Sequence, residues 1–319
     1  MEKNNTPDKK IIIEAAKRIK NFVHRTPVLS SENINSLFNT KIFFKCENFQ
    51  KAGVFKSRGA VNAIFSLSED ELKNGVATHS SGNHAQALAR AALLRNTNAY
   101  IVMPENSSKV KIAAVKNYGG EITFCESNLD SREKTLEKII EKTQAVEIHP
   151  YNNYKIIAGQ ATATKELIED VELLDIIMAP VGGGGLLSGT ALATYYFSPG
   201  TKVIAAEPKQ ADDAYRSFYQ KKFIPSINPN TIADGLFTSL GSLTFPIICE
   251  YVNEIMTVSE ESIIQAMKLI WERMKIIIEP SSAVPLAAIL ENRKYFENKR
   301  IGIIFSGGNI DLNKIPWLT

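Results

Sequence analysis

The feature that most constrains the fold is an alternation of short apolar strand candidates with helical stretches, repeated in two separate runs. In the first run, residues 75–79, 100–103, 122–125 and 146–148 read as strands, with helices over 83–94, 109–116 and 131–142 between them. A second run follows, with helices over 154–168, 186–196, 260–274 and 281–290 and strands over 176–179, 203–206 and 300–305. Strand followed by helix, repeated, calls for parallel sheets covered by helices. The expected fold class is therefore α/β, in two domains, each an open, mostly parallel sheet flanked by helices. The larger domain is expected to take residues 1–68 plus 152–319, and the smaller one 69–151. Upstream, 41–46 reads as a strand and 55–67 as a helix. Near the N-terminus, Thr6 is expected to cap a helix that has Pro7 at its first position and Ile12, Ala15, Ala16, Ile19 and Phe22 on one face. The segment 215–252, with Pro225, Pro229 and Pro246, is expected to be largely irregular.

A chain of 319 residues, 44% of them hydrophobic, can bury a core without covalent staples. The formal charge of +3 is spread along the chain. Its densest basic runs, Lys109 and Lys111 with Lys116, and Lys221 with Lys222, read as solvated helix faces, so no nucleic-acid partner is expected. The cysteines Cys46, Cys125 and Cys249 are odd in number, and no CxxC occurs, which points to free thiols in a reducing compartment. The apolar run at 11–13 is too short for a signal-peptide core, and no stretch reaches membrane-spanning length. A soluble, cytoplasmic protein with no membrane partner is expected.

In open α/β sheets, ligands sit beyond the carboxyl ends of the strands. Four such loops carry unusual residues: Lys51-Ala52-Gly53-Val54-Phe55-Lys56-Ser57-Arg58-Gly59-Ala60; Ser80-Ser81-Gly82-Asn83-His84; Gly182-Gly183-Gly184-Gly185-Leu186; and Ser306-Gly307-Gly308-Asn309. Four consecutive glycines are costly in chain entropy. In return, backbone N–H groups can converge on an anion at a helix N-terminus. The run is neither GxxxxGK[ST] nor GxGxxG, so a monophosphate fits better than a nucleotide. Lys56, beside Phe55, is a lysine whose amine, once desolvated, can form a Schiff base with an aldehyde cofactor.

Together, in this order and spacing, the four loops resemble the serine racemase and serine/threonine dehydratase family, whose fold is the tryptophan synthase β-like fold type II of pyridoxal phosphate (PLP) enzymes. The resemblance runs from about Ala15 to Asn309. It implies PLP bound to Lys56 as a Schiff base, with Phe55 beside the pyridine ring and Asn83 on the 3-hydroxyl. It further implies Gly182, Gly183, Gly184, Gly185 and Leu186 on the phosphate, Gly235 at the cofactor edge, and Ser306 on the pyridine nitrogen. Ser80, Ser81, Gly82, Asn83 and His84 would take the substrate carboxylate, with Arg132 nearby. His84 is read either as a general acid or as packing.

Ser306 cannot hold the pyridine nitrogen protonated as an aspartate would, which favours loss of a β-hydroxyl. Ser81 would stand on the face of the substrate opposite Lys56, so the two would be the catalytic bases of a racemase. The resemblance therefore implies a serine racemase that also dehydrates L-serine, and possibly L-threonine, to a 2-keto acid and ammonia. The alternative is a threonine/serine or 3-hydroxyaspartate dehydratase with little racemase activity. By spacing alone, Glu207, Ala211 and Asp213 read as a solvated acidic turn. The family instead binds a divalent cation there, Mg²⁺, Mn²⁺ or Ca²⁺. A homodimer is implied, as is closure of the smaller domain over a small amino-acid substrate. Nucleotide activation, known in some animal members, is not expected, because Ala52 lacks a hydroxyl.

Overall fold

The structure, a computed structural model, describes residues 6–318. Ten strands occur among them: β1 Val28–Leu29, β2 Lys41–Cys46, β3 Val76–His79, β4 Ala99–Pro104, β5 Glu121–Cys125, β6 Val146–Glu147, β7 Ile176–Pro180, β8 Lys202–Pro208, β9 Glu254–Val258 and β10 Arg300–Phe305. They form a six-stranded sheet in the order β1-β2-β10-β7-β8-β9 and a four-stranded sheet in the order β5-β4-β3-β6. All pairings are parallel except the edge pair β1–β2.

The large sheet is buried on both faces, as parallel sheets are. Alternate residues of a strand point to opposite faces. Thus Ile301, Ile303 and Phe305 of β10 join Ile176 and Met178 of β7 in one core, against the helix Pro280–Glu291. Ile304, Ile177 and Ala179 join the other core, against the helix Gly185–Phe197. The small sheet packs through Val76, Ile101 and Met103 on the helix Asn83–Leu94, and through Ala77 and Val102 on the helix Leu129–Thr143.

This topology places the site. Because β10 lies between β2 and β7, the loops after these three parallel strands are neighbours at one edge of the sheet. The helix Lys56–Phe65 is then tied down from behind by a buried charge network. Arg58, fully buried, donates to Glu47 at 2.7 and 2.8 Å and to Glu166 at 2.8 and 2.7 Å. Lys45 Nζ adds an ion pair to Glu166 at 2.7 Å.

Three expectations are corrected. The first helix is Lys9–Ile19 and its cap is Asp8, not Thr6: the Asp8 carboxylate accepts from Ile11 N at 2.8 Å, and the charge suits the positive helix end. The segment 215–252 is more regular than expected, since it completes the helix Asp213–Gln220 and contains the helix Thr244–Tyr251. Pro246 falls in the first turn of the latter, where a missing N–H costs little. Lys111 is not on a solvated face; it is 8% exposed and ion-paired.

Candidate active site

Every residue expected to hold the cofactor lines one cavity of about 80 Å³: Phe55, Lys56, Asn83, Gly182 to Leu186, Gly235 and Ser306. Lys56 opens its helix just past β2, and its Nζ donates to the Pro150 carbonyl at 2.8 Å. The amine stands 5.1 Å from the Phe55 ring centroid and 6.0 Å from that of Tyr151. Burial lowers its pKa to about 8, against the pull of Glu279, which favours the charged form. A substantial share of neutral amine near pH 8 is what attack on an aldehyde requires.

The glycine loop joins β7 to the helix Gly185–Phe197. A Cβ at position 183 would lie 2.4 Å from the Tyr151 ring, and one at 185 would lie 2.8 Å from Tyr151 Cβ. Gly184 has φ +86°, and a Cβ there would meet Thr244 and Ile248 at 2.8 Å. Side chains are thus excluded, and the first N–H groups of the helix have no intrahelical acceptor to compete with an anion.

Ser306, at the end of β10, is 3% exposed, and its Oγ lies 2.9 Å from Ser282 Oγ and 3.4 Å from Glu279 Oε1. Asn83 Nδ2 donates to both Glu279 oxygens at 3.1 and 2.9 Å, and its Oδ1 accepts from Asn309 Nδ2 at 2.9 Å. Glu279 is thereby the hub between Asn83 and Ser306. Burial raises its pKa to about 7, opposed by Lys111. The sequence reading missed Glu279, along with the cavity-lining Thr238 and Ser281. The available signal was an acid standing between the apolar run 276–278 and Pro280.

The other expected residues do not line this cavity. Ser81 is exposed, and Ser80 Oγ accepts from Gly82 N at 3.3 Å. His84 is buried, with Nε2 3.1 Å from the Ile148 carbonyl, and burial holds its pKa well below the usual range. Of the two readings of His84, the backbone bond of a buried ring favours packing. Arg132, its pKa lowered by burial, has a buried Nε without a hydrogen-bond partner and lies near Cys125.

Glu207 and Asp213 lie apart from the cavity. Both are buried, which corrects the reading of this turn as solvated. Glu207 accepts from Ala214 N at 3.1 Å and from Tyr215 N at 2.8 Å, while neither Asp213 oxygen has a hydrogen-bond partner. Burial, then the charge of Asp213, pushes Glu207 well above the carboxylate range. Two adjacent buried carboxylates, one of them with both oxygens unbonded, are donor chemistry that suits a hard cation.

Residues 19–307 match the family model described as pyridoxal-phosphate dependent enzyme. The chain belongs to that family. It is 53% identical to a serine racemase of Dictyostelium discoideum, over 99% of this chain and 98% of that one. It is 50% identical to a beta-hydroxyaspartate dehydratase of Paracoccus denitrificans, over 96% of this chain and 97% of that one. The solved structure of maize serine racemase superposes with TM-score 0.95 at 46% identity, over 98% of this chain and 96% of that one. A PLP-dependent enzyme needs an amine, a phosphate cradle and a partner for the ring nitrogen, and the cavity offers all three in Lys56, the glycine loop and Ser306.

Proposed function

We propose that this enzyme acts on L-serine, inverting Cα to give D-serine and eliminating the β-hydroxyl to give pyruvate and ammonia. The observation that carries the reading is the convergence of the Lys56 amine, the glycine cradle and the uncharged Ser306 on one cavity. Lys56 would hold the cofactor aldehyde, the first N–H groups of the helix Gly185–Phe197 its phosphate, and Ser306 its ring nitrogen. When bound, PLP supplies a sink for the electron pair left when Cα loses its proton.

The chain's own residues do the rest. Lys56 Nζ would take the Cα proton on one face. Ser81 Oγ gives a proton to the opposite face and so completes inversion. Because Ser81 is exposed and outside the cavity lining, the reading requires residues 69–151 to move toward the cavity when substrate binds. The N–H groups at 80–84, at the start of the helix Asn83–Leu94, take the substrate carboxylate, with Arg132 nearby. Ser306 carries no charge with which to hold a proton on the ring nitrogen, so loss of the β-hydroxyl competes with return of the Cα proton.

A divalent cation would sit on Glu207, the Ala211 carbonyl and Asp213. The reading also includes a homodimer working in the cytoplasm. Among the described residues, no helix is long and apolar enough to cross a membrane. The experiment is incubation of the PLP- and Mg²⁺-loaded protein with L-serine, followed by chiral chromatography and pyruvate assay. D-serine and pyruvate are expected from the wild type, and pyruvate with little D-serine from Ser81→Ala. Neither product from the wild type refutes the reading. The second reading, dehydration of 3-hydroxyaspartate, is favoured by the 50% identity to the Paracoccus enzyme. A kcat/KM for 3-hydroxyaspartate well above that for L-serine would select it.

A further inference from the structure

Lys111 projects from the helix Lys109–Asn117 beside the small sheet, and its stem lies across Gly82. A Cβ at position 82 would stand 2.2 Å from Lys111 Cδ and 3.0 Å from Cγ. Past Gly82 the side chain crosses to the other sheet's territory, where Nζ donates to Asp234 Oδ2 at 2.5 Å. Asp234 opens the short turn Asp234–Leu236, whose Gly235 and Leu236 line the cofactor cavity. Leu236 Cα would lie 3.0 Å from a Cβ at Gly182, so this turn also backs the glycine loop. One side chain therefore spans from the 80–84 loop to a wall of the cofactor cavity. Among the ion pairs of the described residues, it alone joins residues 69–151 to the remainder. Fixing a long lysine stem in a buried groove costs rotamer entropy and hydration, which a lysine serving only solubility does not incur.

We propose that Lys111 is a positioning residue, a clasp that holds the 80–84 loop against the turn Asp234–Leu236 ready for the substrate carboxylate. The Lys111 stem sets the height of Gly82, and its charge, through Asp234, sets the distance between the two walls. A side chain at position 82 would push the stem aside. The inference rests on the reading that the 80–84 loop takes the substrate carboxylate.

The test uses the PLP-loaded wild type, Lys111→Met, Asp234→Asn and the double variant. Methionine keeps an apolar stem against Gly82 and removes the charge; asparagine keeps the shape of the aspartate. Each single variant is expected to raise the KM for L-serine about fivefold, with kcat changed less than KM, and the double variant to be no worse than the poorer single one. Amide hydrogen exchange at 80–86 should rise in each variant, which a lysine of purely local structural importance would not cause from Asp234. Unchanged KM in both single variants, effects that multiply in the double variant, or unchanged exchange at 80–86 would overturn the clasp. If Lys111→Met does not fold, the half-exposed Asp234→Asn carries the test alone. If the wild type turns over no L-serine, the proposed function fails, and the exchange at 80–86 still decides the clasp.

Discussion

Substitution of Gly183 by alanine tests whether the glycine loop is a cradle shaped by exclusion of side chains. The added Cβ would meet Cδ1 and Cε1 of Tyr151 at 2.4 Å and Cγ at 2.5 Å. Carbon atoms in contact settle at about 3.5–4.0 Å, so ring or loop must shift by about 1 Å. Tyr151 is held at its backbone, where its N–H donates to His149 Nδ1 at 3.3 Å, and its ring meets the His149 ring edge-on at 4.6 Å. Overpacking of this kind costs about 1–3 kcal/mol. If the strain falls on the loop, the cradle opens and PLP binds about 5- to 150-fold more weakly. The assay is titration of apoprotein with PLP, followed by absorbance, for wild type, Gly183→Ala, Tyr151→Ala and the double variant. The double variant should recover most of the lost affinity, because the ring that creates the overlap is gone. Wild-type affinity in Gly183→Ala, or no recovery in the double variant, would refute the argument.

Three further outcomes are expected. Arg58→Met leaves Glu47 and Glu166 without their buried partner and should cost about 3–5 kcal/mol, read as a lower midpoint in urea unfolding; an unchanged midpoint contradicts it. Lys56 is neutral above its pKa of about 8, so the rate of PLP capture by apoprotein should rise with pH through that value. Because Glu279 favours the charged amine, Glu279→Gln should move the rise to lower pH; a profile flat from pH 7 to 9 speaks against both statements. Finally, chelator should lower the melting temperature of the wild type at pH 8, and Mg²⁺ or Ca²⁺ should restore it, with no such response in Asp213→Asn. At a hundredfold excess over Kd the cation adds about 2.7 kcal/mol, a readily measured shift.

The four loops were legible in the sequence because each is a local string at a strand end, and parallel strands bring such ends together whatever lies between. Lys56, the glycine run and Ser306 therefore meet in the cavity as the sequence reading expects. What was not legible depends on partners distant in the chain. Lys111 looks like a surface lysine until Asp234, 123 residues away, is placed against it. Glu279 becomes part of the site only through Asn83, 196 residues away. Burial of Glu207 follows from its place near the C-terminal end of β8, a strand flanked on both sides by β7 and β9, which a short acidic string does not reveal. Asp8 rather than Thr6 caps the first helix because one residue of offset decides which side chain reaches Ile11 N, and helix ends are the least certain part of any sequence reading.

Borohydride reduction of the PLP-loaded protein followed by peptide mass mapping tests most directly whether Lys56 holds the cofactor. A phosphopyridoxyl group is expected on the peptide containing Lys56, absent from Lys56→Ala. A label on another lysine, or none on a yellow protein, would contradict it.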